Sequence, residues 1–200
     1  LQDSRFADYF AERLARAFVG VEGGQFIIYR RDRFTNWLSQ QLRNRTSYDQ
    51  IVVQMIQGQG VATDEAGVNF VMASFANDQF DPNKLAGRTV RAFLGQRIDC
   101  AQCHDHPFAH WKQKQFEGLA ACYGELDQTL VGVVDVPLSE LDEEEIKKRP
   151  LPPEAVPGVP YMPEWFPKDG TPRQRLAQWV THPQNTRFER AIANRVWGLM

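Results

Sequence analysis

Proline is distributed very unevenly along this chain of 200 residues, and its distribution constrains the fold strongly. Eight of the 12 prolines lie between Pro150 and Pro172. Proline has no backbone N–H and a restricted φ angle, so such a run favours extended backbone over a regular helix. Tyr161, Trp165 and Phe166 give the same stretch apolar side chains to bury. We therefore expect this stretch to wrap over a folded body.

The sequence before this stretch has the periodicity of amphipathic helices. Apolar residues recur at helical spacing in five segments of residues 1–126. The fourth of these helices is expected to begin near residues 81–83, because Pro82 suits the first helical position. The fifth is expected to end at Gly124. Beyond the prolines, Thr171 followed by Pro172 predicts the start of another helix, and a last helix follows it.

These patterns predict a mainly α fold with three parts. Residues 1–126 are expected to form a helical domain, and residues 127–170 a proline-rich extended segment that wraps it. Residues 171–200 are expected to be the helical start of a second, truncated domain. Within the segment, Val131 to Val136 suit a short strand, and the acidic and basic runs in residues 142–149 suit a solvated face.

Composition excludes several classes of protein. Lys and Arg total 23 against 25 for Asp and Glu, so the formal charge is −2 and no basic excess favours nucleic-acid binding. No apolar run approaches the roughly 20 residues of a membrane span, and the first residues have no signal-peptide core. Three cysteines are too few for a disulfide framework.

Two of the three cysteines lie in the pentapeptide CAQCH, residues 100–104. This CxxCH pattern is typical of covalent haem attachment, in which both thiols add to the haem vinyl groups and the histidine binds the iron. It predicts one haem c bound through Cys100 and Cys103, with His104 as the proximal ligand. A small protein can hold the cofactor this way without a deep pocket.

Two other sites would use the same residues. A zinc site could draw four ligands from the set Cys100, Cys103, His104, His106 and His110. That site is disfavoured because its ligands fall within eleven residues, with no second half-site farther along the chain. A redox dithiol of the thioredoxin type is also disfavoured, because it normally follows a strand and precedes a helix.

The second axial ligand determines what a haem here would do. Axial histidines on opposite faces have α-carbons roughly 12 Å apart, whereas two residues of chain reach at most about 7 Å. His106 is therefore excluded as the partner of His104, and it is expected to cap a turn or to lie near the haem edge; His110 would just reach. We favour Met162, which precedes a proline in the extended segment.

Other residues near the motif have simpler expected roles. The arginines before it, Arg88, Arg91 and Arg97, are candidates to pair with haem propionates. Cys122 stands alone among small residues and is expected to be buried as a small apolar side chain.

The stretch NKLAGRTVRAFLGQRIDCAQCHDHPFAHWKQKQFEGLAACYGEL resembles the core of the planctomycete cytochrome C family. SRFADYF, FTNWLSQQL and TSYDQIVVQMI are also similar to that family. The closing TPRQRLAQWVTHPQNTRFERAIANRVW resembles the start of a second planctomycete domain of unknown function. The resemblance implies a c-type cytochrome domain with haem attached at Cys100 and Cys103 and ligated by His104.

The function expected from these observations is electron transfer by a monohaem domain. Its partner would be a redox protein or other domains of a larger polypeptide, with no nucleic acid involved. Covalent haem assembly implies an extracytoplasmic location, so a signal sequence is expected on the full gene product and this chain is expected to be a fragment. Two alternatives stay open: a non-haem interaction module with a Cys/His zinc site, and a haem enzyme with an open sixth coordination position.

Overall fold

The computed structural model of the chain describes residues 3–21, 30–76, 79–152 and 154–200. They form a mainly α structure, as predicted. The helices are α1 Ser4–Val19, α2 Arg31–Arg43, α3 Tyr48–Gln57, α4 Asn69–Met72, α5 Pro82–Leu94, α6 Gln113–Ala121, α7 Glu143–Lys148, α8 Pro172–Val180 and α9 Thr186–Trp197. Antiparallel pairs join β1 Phe75–Ala76 to β2 Gln79–Phe80, and β3 Leu126–Thr129 to β4 Gly132–Asp135.

Local signals in the sequence place the ends of several helices. The Asp81 carboxylate accepts a hydrogen bond from the Lys84 N–H, and Pro82 occupies the first position of α5. Thr171 and Gln174 form a reciprocal capping box at the start of α8. Each cap satisfies backbone N–H groups that the first helical turn leaves unpaired, so these helices begin where the sequence predicts.

One apolar core joins most of the helices, with α5 at its centre. Ten of the 13 residues of α5 are buried. The Phe93 ring on this helix lies 5.4 Å from that of Phe18 in α1 and 5.2 Å from that of Phe70 in α4. Helix α8 packs against α3, and α9 against α5, so both closing helices contribute to this core. The division of the chain into three parts stays a prediction.

Residues 127–150 contain more regular structure than the sequence indicated. The valine-rich stretch forms a strand, β4, as expected, and the charged run forms the short exposed helix α7. Asp142 and Glu145 form a capping box there. Acidic residues occupy the first turn of α7 and Lys147 and Lys148 the last, which complements the helix dipole.

The proline-rich residues 154–170, here called the strap, lie across α6 and α8 as irregular chain with one short 3-10 turn at Pro163–Trp165. The Gly158 N–H donates to the Gly118 carbonyl at 3.0 Å, and the Gln115 amide donates to the Pro160 carbonyl at 3.0 Å. The indole N–H of Trp179 donates to the Tyr161 carbonyl, also at 3.0 Å. These bonds satisfy strap carbonyls and N–H groups that a run of prolines cannot pair within itself, and the predicted wrapping is confirmed.

A buried ion pair joins the start of α8 to β4 and to the end of α3. The Arg173 and Asp135 side chains are only 1% and 5% exposed, and Nε lies 2.5 Å from Oδ1. Nη2 of Arg173 lies 2.9 Å from Oδ2 of Asp135. Its Nη1 donates to the carbonyls of Ile56 and Gly58, at 2.9 and 3.0 Å. Both charges are therefore fully hydrogen-bonded inside the protein.

We expect Arg173→Met to lower the free energy of unfolding by about 3–5 kcal/mol, because Asp135 is then left charged and buried without its partner. Urea denaturation measures this change. The double variant Arg173→Met, Asp135→Leu removes both charges and should regain much of the loss. Arg5→Ala, which removes an exposed ion pair with Asp3, is the control and should leave the midpoint unchanged. An Arg173→Met protein as stable as wild type contradicts the expectation.

Candidate functional site

The CxxCH residues lie on a short turn that follows α5. Helix α5 ends with Gly95 in the left-handed region at φ 63°, and a 3-10 turn then runs from Asp99 to Gln102. Cys100 lies within this turn and Cys103 directly follows it, and both residues are exposed free cysteines.

The His104 side chain is exposed, and one of its ring nitrogens is already engaged. Nδ1 lies 2.7 Å from the carbonyl oxygen of Asp105. A carbonyl oxygen only accepts hydrogen bonds, so Nδ1 is the donor in this contact. Metal-binding histidines commonly donate one ring N–H to a backbone carbonyl in this way. His104 directly follows Cys103, and its Nε2 lies outside this hydrogen bond.

Asp105 attaches this turn to the start of α6. Its Oδ1 accepts from the Gln113 N–H at 3.0 Å, and its Oδ2 lies 2.8 Å from the Lys112 ammonium. The hydrogen bond from Lys112, followed by that from Gln113, lowers the pKa of the Asp105 carboxyl. A carboxylate at a helix N-terminus is also stabilised by the helix dipole. Asp105 thus keeps its charge and holds the neighbouring His104 backbone in place.

The loop after His104 closes on itself. The His106 N–H donates to the Trp111 carbonyl at 2.8 Å, and the Phe108 N–H donates to Nδ1 of His106 at 3.2 Å. His106 thus caps a turn, one of the two roles predicted for it. The Phe108 side chain is 94% exposed. An apolar ring is therefore exposed to solvent four residues after His104 and five after Cys103.

The sequence-predicted zinc ligands are not assembled in the structure. Within residues 3–21, 30–76, 79–152 and 154–200, no three His, Cys, Asp or Glu side chains are grouped to hold a metal ion. His106 also uses Nδ1 in its turn. The structure therefore supports no zinc site among the described residues, and by the same finding it does not group Cys100, Cys103 and His104 around a metal position.

The predicted roles of the arginines before the motif need correction for Arg88. This residue is 8% exposed, and its guanidinium donates to the carbonyls of Phe70 and Ala73 inside the body. Arg91 lies 4.0 Å from the carboxylate of Asp99. Arg88 is thus a core residue that holds the segment after α4, and the sequence pattern did not reveal its burial.

Met162, the predicted distal ligand, lies in the strap with its side chain 46% exposed. Its φ of 46° is unusual for a residue other than glycine, and it immediately precedes Pro163. The ring of the preceding residue, Tyr161, lies 6.4 Å from that of Trp111 in the CxxCH loop. The structure therefore brings the strap to the loop at the residue next to Met162, and the ligand role of Met162 stays a prediction.

Two other methionines and the third cysteine lie in the core. Met55 and Met72 are 0% and 3% exposed. Cys122 is 1% exposed, with Sγ 3.5 Å from the Gly118 carbonyl. Burial raises the pKa of the Cys122 thiol to about 12, so this cysteine is protonated and unreactive at neutral pH.

Sequence reasoning missed Arg187, in the first turn of α9. Its guanidinium carbon lies 5.9 Å from the ring centre of Trp111 and 5.0 Å from that of Tyr161. A cation over an aromatic face is a favourable contact. No local pattern announces it, because Arg187 and Trp111 are far apart in sequence and meet only when α9 packs against α5.

A protein-family profile matches residues 1–128, and its description is PSCyt2, protein of unknown function (DUF1549). Because the match covers more than half of the chain, the protein belongs to this family. No curated protein and no solved structure matches significantly. Within the described residues, no helix has both the length and the apolar character needed to cross a membrane.

The family match overturns the expected resemblance. The prediction that the chain belongs to the planctomycete cytochrome C family, followed by a second planctomycete domain, was wrong, because residues 1–128 match PSCyt2 instead. The stretches on which the resemblance was based before residue 128 lie within the part of the chain that matches PSCyt2. A site at residues 100–104 is therefore proposed from the chemistry of those residues alone.

Proposed function

We propose that this protein binds one haem c covalently through Cys100 and Cys103, with His104 as the proximal iron ligand, and that it transfers electrons. One observation carries the proposal. Cys100, Cys103 and His104 are all exposed on one short surface turn, and both cysteines are free. Haem attachment at CxxCH requires these three groups together.

The residues present suit the chemistry of the group. Cys100 and Cys103 supply the sulfurs for two thioether bonds, and His104 supplies a neutral nitrogen donor. Asp105, bonded to Lys112 and Gln113, limits the motion of the His104 backbone. Haem, when bound, supplies one-electron redox chemistry at iron. The protein contributes attachment, ligation and a rigid support for the ligand on α6.

The proposal extends to the location and partner of the protein. Thioether formation to haem implies assembly outside the cytoplasm, so we place the protein in the periplasm or another extracytoplasmic compartment. Its partner in electron transfer would be a redox protein or another domain of a larger polypeptide. The exposed ring of Phe108 next to the motif is a suitable apolar contact for the haem edge or for such a partner.

Matured in cells that contain haem-attachment machinery, the wild-type protein should have an intact mass equal to the polypeptide plus one haem. Cys100→Ser with Cys103→Ser removes both thioether positions, so its denatured mass should be that of the polypeptide alone. Cys122→Ser is the matched control, because that thiol is buried, and it should keep the haem. A wild-type protein with the bare polypeptide mass contradicts the proposal.

We also propose Met162 as the distal ligand, because it lies on the strap beside the residue that contacts the loop. Met162→Ala should then abolish the sulfur-to-iron charge-transfer band of the oxidised protein. Met200→Ala, which changes another exposed methionine, should leave that band in place. An unchanged spectrum in Met162→Ala rejects the assignment. Rapid binding of carbon monoxide by the reduced wild-type protein would indicate an open sixth position instead.

A further inference from the structure

Arg187 lies on a rigid aromatic platform beside the CxxCH loop. The platform consists of Trp111 and Tyr161, whose ring centres are 6.4 Å apart. The Tyr161 hydroxyl donates to the side-chain oxygen of Asn185, and Asn185 in turn donates to the Trp179 and Val180 carbonyls. Asn185 is 1% exposed, so the platform is anchored in the core at its far end.

The platform is connected to the motif through the backbone. The Trp111 carbonyl accepts the His106 N–H at 2.8 Å, and His106 follows His104 by two residues. The guanidinium carbon of Arg187 lies 5.9 Å from the Trp111 ring centre. The positive charge therefore lies over the ring of Trp111, seven residues after His104, although α9 belongs to a distant part of the sequence.

The donors of Arg187 are not used by the described part of the chain. Among those residues no carboxylate oxygen lies within 4.0 Å of its guanidinium, and no hydrogen bond from it is formed. Two other arginines that lie over aromatic rings do form hydrogen bonds. Arg175, over Phe166, donates to the Pro167 carbonyl, and Arg195, over Phe18, donates to the Ala92 carbonyl.

An arginine stacked on rings keeps its planar fork of N–H donors directed outward, which suits two parallel hydrogen bonds to a carboxylate. Stacking also reduces the conformational entropy that the long side chain loses when it binds. The ligand expected at Arg187 is therefore a carboxylate close to the CxxCH loop.

We propose that Arg187 binds a propionate carboxylate of the haem attached at Cys100 and Cys103. This inference rests on the proposed function. Arg187 then replaces the core residue Arg88 as the propionate partner. Pairing of the propionate with the guanidinium neutralises a negative charge near the iron, which favours the reduced form.

The test compares haem-loaded wild type with Arg187→Ala, Arg187→Lys and Arg190→Ala. Arg190 is also exposed on α9, so its variant removes the same charge from the same helix. We expect a lower reduction potential in Arg187→Ala than in the other proteins. In resonance Raman spectra, the propionate bending band should shift in Arg187→Ala and Arg187→Lys, because lysine has no planar fork, and should stay unchanged in Arg190→Ala.

Each outcome separates the two proposals. A bare polypeptide mass in all four proteins rejects haem attachment and this inference with it. Haem-loaded proteins whose potentials and bending bands are all the same reject only the role of Arg187. If only the rate of reduction by hexacyanoferrate(II) changes, the Arg187 guanidinium binds an external anion. This result also overturns the propionate contact. Circular dichroism should give the same helical content in every variant.

Discussion

The structure depends on one buried ion pair, between Arg173 and Asp135. It joins the first turn of α8 to β4 and, through two backbone carbonyls, to the end of α3. Strand β4 belongs to the hairpin that follows α6, while α8 follows the strap that covers α6. The pair thus closes the chain around α6 from both directions. Removing one buried charge leaves the other unpaired, so the loss of either residue weakens this attachment of α8 to β4.

Helix α6 in turn supports the candidate site. Its N-cap residue Lys112 and its first residue Gln113 bind Asp105, and Gln115, also in its first turn, binds the strap. The motif itself stays on the surface, with free thiols at Cys100 and Cys103. A rigid helix behind an exposed turn suits covalent attachment, because the cofactor needs access to both thiols and the ligand needs a fixed orientation.

The features that were predicted correctly from the sequence depend on residues that are neighbours along the chain. Asp81 with Pro82 begins α5 because a cap and a first-turn proline act within one turn.

Arg88 and Arg187 show where local reasoning fails. The sequence around Arg88 resembles the sequence around an exposed arginine. Only the packing of the segment after α4 buries the Arg88 side chain. Arg187 reaches Trp111 because α9 packs against α5, a contact that no spacing rule encodes. The family expected from the sequence was also wrong, because residues 1–128 match PSCyt2.

We propose residues 100–104 as a covalent haem site in a protein of the PSCyt2 family, whose function is unknown. The visible absorption spectrum of the dithionite-reduced protein, matured with haem-attachment machinery, tests this proposal most directly. We expect the sharp α and β bands of a low-spin c-type haem, which persist in the protein fraction after acidified-acetone extraction because thioether bonds hold the haem. A colourless protein, or colour that the extraction removes completely, would contradict it.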